Sequence, residues 1–174
     1  MKVIFLDIDG VLNGEYSKIY KKEDGDLDCK KAKLIKELVR KTGAKIVLSS
    51  SWKHRWDNTL RKKKLLKFFA ENSLKLYDIT PTFDGDDYEI IYAGKAVYER
   101  DFVRGREITQ YLLTHDIESY VIFDDIIDLG KEHKDNLIVT KFYYGNGISK
   151  KDIKKALKIL NSNKKHWQTI FYLS

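Results

Sequence analysis

Lys2-Val3-Ile4-Phe5-Leu6-Asp7-Ile8-Asp9-Gly10-Val11-Leu12-Asn13 opens the chain with a short apolar run that ends in two carboxylates. A brief, continuous run of Val, Ile, Phe and Leu predicts a strand buried on both faces, as in a parallel sheet. Ligands of an open parallel sheet bind beyond the carboxyl ends of its strands, so Asp7 and Asp9 stand where chemistry is expected. Strand periodicity sends Asp7 and Asp9 to one side and Ile8 to the other. Two like charges held close are costly unless a cation or a shared proton relieves them. Gly10 frees the backbone to turn sharply and lets a ligand approach.

Working outward, four more apolar runs alternate with helical patterns: Lys45–Leu48, Lys75–Ile79, Tyr120–Phe123 and Leu137–Thr140. Alternation of this kind predicts an α/β fold, a Rossmann-like three-layer sandwich around a mainly parallel sheet. Asp28 is placed to cap a helix carrying Ala32, Leu34, Ile35, Leu38 and Val39, with Gly43 as its terminator. A second helix is expected over Asp57–Asn72, with Leu60, Leu65, Leu66, Phe68 and Phe69 as its apolar face. A third starts near Arg104 and carries Ile108, Tyr111, Leu112 and Leu113. The last begins at Ser149, where Ser149 and Asp152 form a capping box ahead of Ile153, Leu157 and Leu160. Residues 10–27 suit a short flap beside the site or a disordered loop, and the aromatic tail from His166 to Ser174 suits an edge strand or irregular packing.

The 174 residues fit a single domain spanning 1–174. No apolar run approaches the ~20 residues of a membrane span, and the N-terminus lacks a signal-peptide pattern. The lone cysteine, Cys29, excludes an intrachain disulfide and a cysteine-based zinc cluster, so a reducing, cytoplasmic setting is the expectation. Lysine and arginine (33) exceed the acids (26) by 7, which suits a polyanionic partner and equally a lysine-rich surface whose charges, spread along the chain, simply solvate it.

The chemistry expected at the first strand end needs two roles. Asp7 attacks phosphorus and forms an aspartyl-phosphate, splitting one hard hydrolysis into two easier steps. Asp9 protonates the leaving oxygen and then activates water. Ser49-Ser50-Ser51-Trp52-Lys53 closes the second strand, where a hydroxyl and free backbone N–H groups can hold a phosphoryl oxygen. Strand-end alignment favours Ser49, followed by Ser50 and Ser51. Arg104-Gly105-Arg106-Glu107-Ile108 resembles the third motif of the haloacid dehalogenase (HAD) superfamily, and the resemblance implies Arg104, with Arg106 and Lys95 as alternatives, as the cation that offsets charge on the phosphoryl group. Val121-Ile122-Phe123-Asp124-Asp125-Ile126-Ile127-Asp128 ends a further strand in acids, whose oxygens suit magnesium.

Taken in order, these motifs resemble those of the haloacid dehalogenase (HAD) superfamily, whose members are mostly magnesium-dependent phosphatases. The resemblance implies that the Asp7 side chain, the Asp9 backbone carbonyl and the Asp124 side chain bind Mg2+, with Asp125 or Asp128 acting through water. Phe123 stands where the family often has glycine. A closer resemblance rests on Leu12-Asn13, Ser-Ser-Ser-Trp-Lys, Thr80-Pro81, Arg-Gly-x-Glu-Ile, Phe-Asp-Asp and Gly147-Ile148-Ser149. These are similar to the HAD domain of bacterial Swiss Army knife RNA-repair proteins, and imply removal of a terminal phosphate during RNA repair.

Neither the stretch from Asp9 to Ser49 nor that from Ser51 to Arg104 looks long enough for a full cap domain. An open, basic site points to a phosphorylated macromolecule, with RNA or DNA ends as the natural candidate. The basic segments Lys53-His54-Arg55-Trp56 and Arg61-Lys62-Lys63-Lys64 pair cations with indoles that could stack on bases, or form a solvated helix face over buried Trp52 and Trp56. Competing readings are a small-molecule or nucleotide phosphatase with the flap as a partial lid, a receiver-type phosphoacceptor, and a non-catalytic RNA-binding module. The receiver order fails, because its acid pair comes first and its phosphoacceptor in the middle.

Overall fold

The computed structural model describes residues 1–14, 27–54, 56, 60–83, 90–92, 95–97, 100–142 and 146–162. In chain order these form β1 (Lys2–Leu6), α1 (Cys29–Thr42), β2 (Lys45–Leu48), α2 (Leu60–Glu71), β3 (Leu76–Ile79), β4 (Ile90–Tyr92), β5 (Lys95–Val97), α3 (Arg100–Thr114), β6 (Ser119–Asp124), β7 (Leu137–Val139) and α4 (Lys150–Asn161). Most of the expected flap and the aromatic tail lie outside the described residues.

Five strands make a parallel sheet in the order β3-β2-β1-β6-β7. The chain builds outward from β1 to β2 and β3, then returns to the other side of β1 with β6. The C-terminal end of β1 is therefore the switch point, where an open α/β sheet leaves a crevice. This is the HAD-type α/β architecture expected from the sequence, and among the described residues no cap-sized domain is inserted into it.

Alternation along the strands sorts the core into two layers. Ile4, Leu6, Ile46, Leu48, Val121 and Phe123 face α1, α2 and α4, whose Ile35, Leu38, Leu65, Phe69, Ile153 and Leu160 are buried with them. Val3, Phe5, Val47, Tyr120 and Ile122 face the other way, against Ile108, Tyr111 and Leu112 of α3. Asp7, Ser49 and Asp124 continue the second set, so the strand parity aims all three toward α3.

Local signals fix the helix ends as anticipated. Asp28 accepts from the Lys30 N–H at 2.7 Å, and Gly43 closes α1 in the left-handed region at φ 69°. The Ser149–Asp152 capping box is complete at the start of α4. Three expectations are corrected. The third helix begins a turn earlier, at Arg100, so Arg104 lies inside it rather than at its start. Leu60 is 85 % exposed and Leu66 is also exposed, leaving Leu65 and Phe69 as the buried face of α2. Ahead of α3, β4 and β5 form an unanticipated antiparallel hairpin, whose signal was the two-residue spacer Ala93-Gly94.

Candidate active site

Sheet register assembles the site. Leu6 pairs with Leu48 on one side and with Phe123 on the other, so the next residues, Asp7, Ser49 and Asp124, stand side by side on three neighbouring strands. The ladder carries on past the strand ends: the Asp7 N–H donates to the Phe123 carbonyl at 3.0 Å and the Ser49 N–H to the Leu6 carbonyl at 2.9 Å. Asp7, Ser49, Ser50 and Asp124 are all buried. One carboxylate oxygen from each of Asp7, Asp124 and Asp125 lies within 4.8 Å of the others.

Arg104 reaches this group from α3. Its Nη1 donates to Asp124 Oδ2 at 2.7 Å and Oδ1 at 2.9 Å, and lies 3.5 Å from Asp7 Oδ2. The approach depends on Gly105, because a Cβ there would collide with the Leu129 carbonyl in the loop after β6. Arg106 is exposed, with its guanidinium 5.9 Å from the centre of the Phe83 ring. Asp128 is exposed as well and accepts from the Gly130 N–H, so Asp125 rather than Asp128 joins the acidic group.

The electrostatics of the group are unbalanced. Burial, and then the Asp124 carboxylate, push the Asp7 carboxyl up to about 8 against the pull of Arg104 and Ser50. Burial likewise raises Asp124, and burial with Asp124 raises Asp125. For Arg104 burial works against the charge, yet Asp7 and Asp124 outweigh it and hold the guanidinium above its ordinary value. One guanidinium faces three carboxylates, and oxygen donors in such an arrangement suit a hard divalent cation. The residues present therefore fit Mg2+.

Of the candidate hydroxyls, Ser50 serves Asp7 directly, as a hydrogen-bond donor that lowers its pKa, and accepts from the Trp52 N–H at 3.3 Å. The Ser49 hydroxyl is the buried side-chain polar atom without a hydrogen-bond partner among the described residues. An orphaned buried hydroxyl is costly, and a phosphoryl oxygen is a partner of suitable chemistry. Ser51 is exposed.

Asp9 sits apart from the carboxylate trio. Its loop turns back through the Leu12 N–H, which donates to the Ile8 carbonyl at 2.9 Å, with Gly10 at φ 76°. A side chain at Gly10 would also strike Asp125, 2.7 Å from the Cβ position. Asn13 donates to Asp9 Oδ1 at 3.0 Å, and the Trp52 indole N–H donates to Asp9 Oδ2 at 2.8 Å. Trp52 is only 4 % exposed, so of the two readings of this segment the one with Trp52 in the core holds and base stacking on its ring does not. Trp56 is half-buried against the core.

Two further side chains carry a role the sequence reading did not give them: Lys53, read there as part of an exposed basic segment, is buried, and Glu107 is its partner. Lys53 Nζ donates to Glu107 Oε2 at 2.6 Å, Pro81 O at 2.6 Å and Thr80 Oγ1 at 2.7 Å, all out of solvent. Glu107 lies one turn from Arg104 on α3. The signal was present: Arg104 and Glu107 share the buried stripe of Ile108 and Tyr111, where unpaired charge is not tolerated. Late in the chain, the Ile148 N–H donates to the Val11 carbonyl at 3.0 Å, and a Cβ on Gly147 would strike the Asn13 carbonyl, so Gly147-Ile148 braces the Asp9 loop.

No curated protein and no solved structure matches the chain. A family model described as "HAD domain in Swiss Army Knife RNA repair proteins" matches residues 3–153, and the chain belongs to that family.

Proposed function

We propose that this protein is a magnesium-dependent phosphomonoesterase that works through an aspartyl-phosphate on Asp7 and acts on phosphorylated RNA ends. The observation that carries the reading is the trio of buried Asp7 and Asp124 with half-buried Asp125, one oxygen of each within 4.8 Å of the others and under-compensated by Arg104 among the described residues. Carboxylates from these residues and the Asp9 backbone carbonyl would hold Mg2+, which when bound offsets negative charge on the phosphoryl group.

An Asp7 oxygen attacks phosphorus as the bond to the leaving oxygen breaks, and Asp9 gives that oxygen its proton. Water then attacks the acyl phosphate while Asp9 takes its proton, the bond between phosphorus and Asp7 breaks, and inorganic phosphate leaves. Arg104 steadies Asp7 and the charge on the phosphoryl oxygens, and the Ser49 and Ser50 hydroxyls serve as neutral donors. The raised Asp7 carboxyl is a weak nucleophile until positive charge draws it down, so catalysis and cation binding are linked through this residue.

A polynucleotide end is supported by the family, by the net charge of +7, and by exposed cations near the site. Arg61 holds its guanidinium 5.8 Å from the centre of the Trp52 ring, whose N–H is bonded to Asp9, and Lys63 on the same helix is exposed. The test is phosphate release with Mg2+ from 3′- and 5′-phosphorylated oligoribonucleotides, mononucleotides and an aryl phosphate, alongside Asp7→Asn. The expected result is faster release from oligonucleotides that weakens with salt. No release from any substrate, or unchanged release by Asp7→Asn, sinks the mechanism; preference for mononucleotides sinks the substrate.

A further inference from the structure

We infer that Trp52 is a positioning residue for Asp9: its indole N–H holds the carboxylate so that the proton Asp9 carries is presented only to the leaving group. The inference rests on the acid–base role proposed above for Asp9 and assigns the device that makes it work.

The geometry comes from two parts of the chain. Asp9 Oδ2 accepts from Trp52 Nε1 at 2.8 Å, across 43 residues of sequence, and Oδ1 accepts from Asn13 Nδ2 at 3.0 Å. Trp52 is fixed by its own surroundings. Its ring is buried in the core, its backbone N–H donates to the Ser50 hydroxyl at 3.3 Å, and it is the middle residue of the short 3-10 turn Ser51–Lys53 that Lys53 locks to Glu107. A ring so held cannot follow a wandering carboxylate, so Asp9 is registered against the Ser50–Lys53 turn that closes β2.

Donor chemistry explains why these two partners suit an acid. An indole N–H only donates. Asn13 could in principle accept, but its Oδ1 already takes the Gly10 N–H at 2.9 Å, which turns the amide nitrogen toward Asp9. Neither neighbour can accept a proton from Asp9. Each leaves one lone-pair position on its oxygen, and those positions are where the acidic proton sits and leaves. A histidine or hydroxyl in place of Trp52 would offer an acceptor and compete with the leaving group. A purely structural tryptophan needs only some acceptor for its buried N–H. Here the acceptor is the carboxylate that must shuttle a proton, held on both oxygens.

The experiment exploits leaving groups. An aryl phosphate with an acidic phenol departs with little help from an acid, whereas an alkyl or ribose phosphate needs its oxygen protonated. In a single turnover, before water attack, Trp52→Phe should keep the rate of phenol release from the aryl phosphate within about 3-fold of the parent and slow alcohol release from the alkyl phosphate about 10–100-fold. Equal losses on both substrates, or none on either, overturn the inference. Asp9→Asn run in parallel separates the two levels: if it too spares the alkyl substrate, the role of Asp9 fails first. Should Trp52→Phe unfold, replacing Trp52 by β-(3-benzothienyl)alanine removes the N–H and keeps the ring. The same leaving-group dependence is then required, and its absence overturns the inference.

Discussion

Two buried charge clusters sit one helical turn apart along α3, and they are built on opposite principles. Around Glu107, charge is closed: Lys53 spends its three donors on Glu107, Thr80 and Pro81, and the Phe83 N–H donates to the other Glu107 oxygen at 3.3 Å. Burial lowers the Lys53 pKa and Glu107 opposes it, as expected for a matched pair. Around Arg104, charge is left open: among the described residues one cation faces Asp7, Asp124 and Asp125, and the Ser49 hydroxyl has no partner. A fold gains nothing from gathering like charges out of water, so the open cluster is where a ligand is expected and the closed one is where structure is held.

The sharpest way to break the comparison is Asp7→Asn. Phosphate release should fall by about 1000-fold or more, read as inorganic phosphate from an aryl phosphate. The same substitution should stabilise the metal-free protein at pH 8. Asp7 has a folded value of about 8 against 3.8 ordinarily, so the unfolded chain gives up this proton first. Stability therefore falls as pH climbs between those values, and the asparagine removes that slope. Thermal unfolding without metal should show a gain of about 2–4 °C for each kcal/mol recovered, and a smaller response to Mg2+.

The closed cluster should behave in the opposite sense. Lys53→Met or Glu107→Leu alone strands a buried charge and should cost about 3–5 kcal/mol by urea unfolding. The double variant Lys53→Met/Glu107→Leu should recover much of that loss in stability, since neither member is then left as an unpaired buried charge. A double variant as unstable as the singles would show that this pair is not a self-contained strut. Gly105→Ala tests the hinge between the clusters. The new methyl must displace α3 from the Leu129 carbonyl, at about 1–3 kcal/mol, and should weaken Arg104 enough to cut activity about 10-fold.

The smallest effect is expected beneath α3, at His133. The imidazole is buried, with Nε2 2.9 Å from the Gly105 carbonyl and Nδ1 3.1 Å from the Tyr120 hydroxyl. Burial lowers its pKa from the ordinary 6.5. The unfolded chain therefore takes up this proton first, and stability present above about pH 6.5 is lost as pH falls. Between pH 7.5 and 5.5 His133 opposes the gain that Asp7 gives the parent, so the unfolding temperature of His133→Gln should rise over that segment by about 1–2 °C more than that of the parent.

Much of this was legible in the chain. Continuous Val, Ile, Leu and Phe runs located all five parallel strands, because a strand buried on both faces has little freedom in composition. The caps at Asp28, Gly43 and Ser149 were readable because capping is settled within four residues. The β4–β5 hairpin was missed because short runs with a two-residue spacer carry little periodicity, and Leu60 misled because an apolar residue at a helix end is not obliged to be buried.

By itself, then, the sequence determined the layered α/β fold, the switch point at the end of β1, and the acids and hydroxyls that meet there. Tertiary structure decided the rest: that Arg104 and not Arg106 enters the group, that Asp125 and not Asp128 joins it, and that Trp52 turns inward to Asp9. Strand periodicity and caps are local, fixed by neighbours a few residues away. Which of two adjacent cations or acids reaches a site depends on the angle and closeness at which α3 and the β6 loop pack, and at Gly105 that closeness is set by a contact no local pattern encodes.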